Sequence, residues 1–152
     1  NGDIYNRNVS AKIASNPHIN AFACYRNVPC HQTCFYEREL MKRRGYNIKY
    51  KVRADYEHFL GCFFAEQVQP VYMQIVVASY EGGGFSETKE NIARSAAEHK
   101  AVVKKYMSKS QIIKYEFLMA LTLAPLRTWI AQNEKLSGVY NKIKEMIYGR
   151  RR

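Results

Sequence analysis

The sequence is poor in aspartate and lacks several short motifs that mark common enzyme classes. Its 152 residues contain two aspartates, Asp3 and Asp55, and no Asp-x-Asp pair. The glycines form neither a Walker loop with its Lys-Ser end nor the spaced pattern of a dinucleotide fingerprint. No internal repeat or low-complexity segment occurs. These absences argue against a P-loop nucleotidase, a Rossmann-type dinucleotide enzyme and a repeat protein.

The four cysteines lack the paired CxxC spacing of a zinc site. Cys30, His31 and Cys34 offer three possible metal ligands with no clear fourth, while Cys24 and Cys62 lie apart from them in sequence. We therefore expect free, buried thiols and no metal site in this chain. Free thiols make a cytoplasmic location the default, and the chain opens without the features of a signal peptide.

Basic residues clearly outnumber acidic ones. There are 24 Lys and Arg against 13 Asp and Glu, which gives a formal net charge of +11. A surplus of this size favours an anionic partner, such as a nucleotide diphosphate, a pyrophosphate-linked lipid, an acidic membrane surface or nucleic acid. The chain is long enough, at 47% hydrophobic residues, to bury one globular core.

Residues 29–64 are the most informative part of the chain, because they place a His-Gln pair and an Asp-Tyr-Glu triplet around a short basic helix. His31 and Gln32 follow Pro29 in a turn, where side chains can point at a ligand. Asp55 precedes an apolar run that is typical of a buried helix. A carboxylate at the mouth of such a helix is partly desolvated, which favours a general base. Aspartate is also a favoured N-cap, so capping of this helix is the alternative role for Asp55.

Four motifs occur in order along the chain: HQ, FYERELMKRRGY, YKVRADYEHFL and IVVASYEGGGFSE. Together they resemble the second half of the catalytic domain of family 2 glycosyltransferases, the GT-A-fold enzymes with which bacteria build surface polysaccharides. The resemblance covers about residues 2–107. It implies an α/β fold that is the C-terminal part of a GT-A, or nucleotide-diphospho-sugar transferase, fold. It also implies a fragment of an inverting enzyme that transfers a sugar from a nucleotide sugar to a glycan or lipid-linked acceptor.

The same resemblance assigns roles to individual residues. Asp55 would deprotonate the acceptor hydroxyl, which attacks the anomeric carbon in a single in-line displacement. His31 and Gln32 would line the acceptor or donor side of the site. Glu57 would contact the residues that line the site, or would lie on a helix face.

A glycine-rich loop, EGGGFS at residues 81–86, follows a predicted strand and precedes a clear helix. Its glycines permit a close backbone approach to a ligand, and a flexible turn is the alternative. The resemblance favours a loop that closes over the active site. Gly83 and Gly84 would then contact substrate, and Ser86 would cap the next helix and contact the ligand.

The chain departs from the family in one respect. The family carries an Asp-x-Asp motif in its first, nucleotide-binding half, where it holds a divalent metal, Mg or Mn, on the diphosphate of the donor. That motif is absent here. We therefore expect the metal in the full-length enzyme and none on this fragment, which alone should be inactive and should expose apolar surface through which it self-associates.

Local patterns predict a mixture of strands and helices. The expected strands are 3–5, 20–25 and 71–80, the expected loop is 16–18, and the expected helices are 37–44, 55–66 and 87–107. The apolar run at 71–80 is typical of a strand covered on both faces. The basic residues 42–44 should form a solvated face, and His58 should be exposed. His99 lies in an apolar stripe over 92–106, which favours a satisfied core histidine.

Residues 109–152 are predicted to form a helical, basic extension to the catalytic part at 1–108. Residues 112–130 are apolar but too charged for a membrane span, and Pro125 should kink or end a helix there. Aromatic and cationic residues toward Arg152 are typical of a segment that lies on an anionic membrane. That reading predicts a peripheral location on the inner face of the cell membrane. The alternative is a helical pair packed on the catalytic part.

A rival hypothesis is a non-catalytic basic module that binds nucleic acid or an acidic partner. The aromatic residues follow core periodicities and match no RNA-binding signature, so we expect no nucleic-acid partner. A membrane-docking or assembly domain is a third possibility. The expected partners are therefore a nucleotide sugar, a glycan acceptor and an anionic membrane surface.

Overall fold

The computed structural model describes residues 2–6, 9–13, 15–80 and 88–122. The chain divides into two compact units, 1–109 and 110–152. In chain order the regular elements are β1 (Gly2–Asn6), β2 (Val9–Ile13), α1 (Ala21–Arg26), a 3-10 turn (His31–Thr33), α2 (Arg38–Arg43), α3 (Ala54–Leu60), a π-helical turn (Gly61–Ala65), β3 (Ser79–Tyr80), α4 (Lys89–Tyr106) and α5 (Lys109–Leu121).

The described strands form one small mixed sheet in the order β2-β1-β3. Strand β1 runs antiparallel to β2, with Gly2 opposite Ile13 at one end. It runs parallel to β3, with Asp3 opposite Ser79. The predicted strand at 3–5 is therefore confirmed.

Helix α3 is the buried centre of the first unit, and with the π-helical turn it confirms the predicted helix at 55–66. Its residues 56–60 are all buried. Successive side chains of an α-helix point about 100° apart, so four in a row reach every side of the helix. Because the helix is enclosed in this way, its polar side chains Glu57 and His58 both lie in the interior.

Gly61 is required where α3 passes into the π-helical turn, and the reason is space. A Cβ atom at position 61 would lie 1.7 Å from a guanidinium nitrogen of Arg44. The backbone there has ordinary helical angles, φ −64° and ψ −43°. The glycine therefore lets the Arg44 side chain pack directly on the helix backbone.

Two predicted strands are wrong. Residues 21–25 belong to α1, and Asn20 is its N-cap, because the Asn20 side chain accepts a hydrogen bond from the Ala23 N–H at 2.8 Å. A six-residue apolar segment does not by itself distinguish strand from helix, and the cap decides. Of residues 71–80, only β3 is a strand in the described part, and Val71 is 87% exposed. A strand needs a neighbour to pair with, and β1 pairs with this segment only at its last two residues.

Helix α4 confirms the predicted helix at 87–107, although its start and its buried face differ from expectation. The Thr88 side chain accepts a hydrogen bond from the Asn91 N–H at 3.3 Å, so Thr88 is the N-cap and the prediction of Ser86 in that role is wrong. Val102 and Val103 are buried, whereas Ile92 at the start of the predicted stripe is 58% exposed.

Helix α5 lies almost wholly in the second unit. Tyr115 is buried, while Ile113 and Phe117 are each 65% exposed. Among the helices that the structure describes, none is both long and apolar enough to cross a membrane. Pro125 and the aromatic, basic end of the chain lie outside the described residues.

Candidate active site

Asp55, the predicted base, and His31, which was predicted to line the substrate site, meet although 24 positions separate them in sequence. Nδ1 of His31 lies 3.1 Å from Oδ2 of Asp55. The His31 side chain is 55% exposed and that of Asp55 is 34% exposed. The pair thus lies at the surface of the first unit, where a substrate can reach it.

The 3-10 turn positions His31. Both the backbone N–H and the hydroxyl of Thr33 donate to the Cys30 carbonyl, at 2.9 and 2.8 Å. The Cys34 N–H donates to the His31 carbonyl at 3.1 Å, which closes the turn. Gln32 is exposed in the same turn. The predicted Pro-led turn with outward side chains is therefore confirmed.

Asp55 is positioned by the first turn of α3, but it is not the cap of that helix. The N-cap is Arg53, with Asp55 two residues inside the helix. Its Oδ1 accepts the N–H of Tyr56 at 2.8 Å, which leaves Oδ2 for His31. The capping alternative for Asp55 is therefore wrong, and its carboxylate is partly buried, as predicted for a base at the mouth of a helix.

Glu98 of α4 fixes the chain that leads into α3. Its carboxylate accepts the N–H groups of Lys51, Val52 and Arg53 at 2.9, 2.9 and 2.8 Å. Burial alone would raise the pKa of Glu98, but these three donors outweigh it and hold the pKa below its usual range. Sequence reasoning missed this residue because a glutamate on a helix carries no sign of a distant backbone partner.

A buried acid lies on another side of α3. Glu57 is 2% exposed, and its Oε1 accepts from Lys105 at 2.6 Å, from the Tyr106 hydroxyl at 2.5 Å and from Arg44 at 3.3 Å. Arg44 also donates to the Tyr106 hydroxyl. Burial would raise the pKa of Glu57, but the bonds from Lys105 and Tyr106 and the nearby cations hold it below its usual range. The expectation of a solvated Arg44 is therefore wrong.

His58 is fully buried, so its predicted exposure is also wrong. Its ring contacts Tyr36 and Tyr46, with centroids 4.7 and 4.8 Å away, and Nε2 lies 3.6 Å from Sγ of Cys62. Burial lowers the pKa of His58. The prediction failed because it assumed a helix with one solvated face, whereas α3 is enclosed.

His99 behaves as the predicted core histidine. Its Nε2 lies 2.9 Å from the Tyr25 carbonyl and 3.2 Å from the Tyr56 hydroxyl, and its ring stacks on Tyr56 with centroids 4.9 Å apart. The Tyr56 hydroxyl donates to the Cys24 carbonyl at 2.7 Å. These contacts bind α1, α3 and α4 together.

The described residues offer no metal centre, because no three His, Cys, Asp or Glu side chains among them converge on one point. Cys24, Cys30, Cys34 and Cys62 are all free. Cys24 and Cys62 are buried as predicted, whereas Cys30 is exposed. The glycine-rich loop, with Gly83, Gly84 and Ser86, lies outside the described residues, so its proposed contacts stay predictions.

Sequence comparison links the chain to enzymes of known type. Over 89 residues it is 37% identical to proteins named PGL/p-HBAD biosynthesis glycosyltransferase from Mycobacterium bovis and from Mycobacterium tuberculosis. The match covers 57% of this chain and 34% of each of these relatives. The chain therefore spans about a third of the length of the curated relatives it matches. No family model and no solved structure matches it.

Proposed function

We propose that this chain is part of a glycosyltransferase that moves a sugar from a nucleotide sugar to a glycan or lipid-linked acceptor. The observation that carries the proposal is the 37% identity over 89 residues to two glycosyltransferases. The contact between His31 and Asp55 supports it, because a histidine paired with a carboxylate is an arrangement suited to taking a proton from a hydroxyl group. Membership of family 2, and the C-terminal part of a GT-A fold, belong to the same proposal.

The proposed reaction is one in-line displacement with inversion. The acceptor oxygen forms a bond to the anomeric carbon as the bond from that carbon to the diphosphate oxygen breaks. The diphosphate leaves with the electron pair, and the His31–Asp55 pair takes the proton of the acceptor hydroxyl. Gln32, Gly83, Gly84 and Ser86 are proposed to contact the substrates.

The charge of the chain suits the proposed donor. A net charge of +11 attracts the negatively charged diphosphate of a nucleotide sugar. A divalent metal is proposed for the full-length enzyme. Among the described residues, no three His, Cys, Asp or Glu side chains come together to hold this metal, so we assign it to no residue here.

The experiment is a transfer assay on the full-length protein. It is offered a panel of nucleotide sugars with Mg or Mn, together with glycan and lipid-linked acceptors. We expect release of a nucleoside diphosphate that depends on the acceptor, and a product whose anomeric configuration is inverted relative to the donor. Acceptor-dependent transfer with retained configuration would contradict the proposed mechanism. Failure to transfer any sugar from the panel would contradict the proposed function.

A further inference from the structure

We infer that Nε2 of His31 is the atom that takes the proton from the acceptor. Asp55 is then a positioning residue, which orients the imidazole and stabilises the imidazolium that forms. This inference rests on the proposed function. It departs from the role that the sequence resemblance gives to Asp55. It comes from the hydrogen-bonding partners of the two side chains and from their exposure.

Both carboxylate oxygens of Asp55 already have a hydrogen-bonding partner. Oδ1 accepts from the Tyr56 N–H at 2.8 Å, and Oδ2 is 3.1 Å from Nδ1 of His31. Protonation of either oxygen would weaken one of these bonds. The Asp55 side chain is also the less accessible of the two, at 34% exposure against 55% for His31. Asp55 is thus placed to hold His31, and His31 is placed to meet the substrate.

The contact sets the tautomer of His31. An ionised carboxylate has no proton to give, so Nδ1 must carry the hydrogen of the bond. The neutral ring then has its lone pair on Nε2, on the opposite side from Asp55. A lone pair on an exposed nitrogen is what a base needs in order to reach an acceptor hydroxyl from solution.

Two titratable groups near the pair, Cys34 and Tyr46, have raised pKa values. Burial raises the pKa of Cys34, which follows His31 in the same turn, and Asp55 adds to that rise. Burial also raises the pKa of Tyr46, with a further contribution from Asp55. The charge of Asp55 thus stabilises the imidazolium that forms when His31 takes the proton.

The protons balance in this scheme. The acceptor proton moves to Nε2 as the new carbon–oxygen bond forms and the bond to the diphosphate breaks. His31 then holds two ring protons and a positive charge opposite the carboxylate of Asp55. Because His31 is more than half exposed, Nε2 returns its proton to solvent before the next turnover.

The tautomer can be measured on this chain without any assay of activity. Two-bond nitrogen–proton NMR spectra distinguish the Nδ1–H form from the Nε2–H form of each histidine, at a pH where the rings are neutral. The signal that disappears in His31→Gln identifies His31 among the four histidines. We expect His31 in the Nδ1–H form. Asp55→Asn should abolish that preference, since an amide can either donate or accept. Glu90→Gln, at an exposed carboxylate on α4, should leave it unchanged. A His31 ring in the Nε2–H form would overturn the inference.

Kinetics of the full-length protein give the second arm. We expect His31→Gln to lower kcat by at least about 100-fold with little change in KM, the range for loss of general base catalysis. The double variant His31→Gln with Asp55→Asn should be no slower than His31→Gln alone, because Asp55 acts through His31. Additive losses, or normal turnover in His31→Gln, would overturn the inference and leave the proposed function standing. If the wild-type protein transfers no sugar, both the inference and the proposed function are overturned. The wild-type assay therefore distinguishes failure of the function from failure of the inference alone.

Discussion

The guanidinium group of Arg44 occupies the space where a side chain at position 61 would lie. A Cβ at Gly61 would stand 1.7 Å from its terminal nitrogen, and the same arginine donates to the buried carboxylate of Glu57 at 3.3 Å. The ion pair between Arg44 and Glu57 therefore depends on the glycine at position 61. Space at position 61 permits the arginine to reach the acid.

The first prediction follows from this contact. Gly61→Ala should lower the free energy of unfolding by about 1–3 kcal/mol, because the added methyl group must displace Arg44 from its place over the helix. Alanine favours a helix by about 1 kcal/mol relative to glycine, which offsets part of the loss. Urea unfolding followed by circular dichroism would measure the difference.

Gly45→Ala is the matched control. Nothing lies within 4 Å of a Cβ at that exposed position. Its effect should stay within about 0.5 kcal/mol. Equal effects of the two substitutions would contradict the packing argument.

The second prediction concerns pH and Glu57. Because its pKa is held below the usual 4.5, the folded state binds fewer protons than the unfolded chain as the pH falls. The stability that Glu57 contributes is therefore fully present above about pH 4.5, and it is lost as the pH falls through the lower pKa of the folded state. Glu57→Gln should destabilise the chain by about 3–5 kcal/mol at pH 7, as expected when one partner of a buried ion pair is removed.

The difference in stability between wild type and Glu57→Gln should shrink from pH 5 to pH 3. Glu90→Gln is the control, since Glu90 is 79% exposed and pairs with Arg94 on its own helix. Its effect should stay within about 0.5 kcal/mol at any of these pH values. If the difference in stability between wild type and Glu57→Gln does not change with pH, the Glu57 carboxylate is not stabilised by Lys105 and Arg44.

The sequence predicted some of the elements, and it singled out both His31 and Asp55, although not the contact between them. Periodic apolar positions predicted α3 and α4, and the resemblance named His31 and Asp55 for one site. The contact between them is a tertiary event across 24 residues, so no local pattern contains it. The same holds for Glu98, which caps a segment some 45 residues earlier in the chain.

Two of the errors, at His58 and Arg44, have a common physical cause. His58 and Arg44 were expected in solvent because a polar side chain on a helix is usually solvated. His58 is buried because α3 is enclosed on all sides, and the Arg44 side chain is only 20% exposed because it reaches the buried carboxylate of Glu57. Residues 20–25 failed for a different reason: a short apolar segment fits either a strand or a helix.

The third prediction concerns association. Val71, Ile75 and Val76 are 87%, 52% and 53% exposed, and they lie close together in sequence in a segment that is neither helix nor strand. We expect the isolated chain to self-associate through this surface. Light scattering should show species larger than a monomer, and Val71→Lys with Ile75→Lys should reduce them. A clean monomer at micromolar concentration would contradict this prediction.

The fourth prediction concerns the C-terminal end, which lies outside the described residues. If residues 112–152 dock on anionic lipid, binding to vesicles should require acidic headgroups and weaken with added salt, since each basic residue near the surface contributes about 1 kcal/mol that salt screens. Removal of residues 150–152 should lower vesicle affinity and leave the circular dichroism spectrum unchanged. Neutral vesicles are the control. Indifference to acidic vesicles at low salt would favour a packed helical extension instead.

The most direct test of the central proposal is the turnover of Asp55→Asn in the full-length protein. Asparagine can still accept the Tyr56 N–H, so the fold should persist. It cannot hold His31 as a carboxylate does. We predict a loss of at least about 100-fold in kcat for transfer of sugar to the acceptor, with His18→Gln, in an exposed loop, as active as wild type. Near-normal turnover of Asp55→Asn would contradict the account, because the pair of His31 and Asp55 would then have no part in moving the proton.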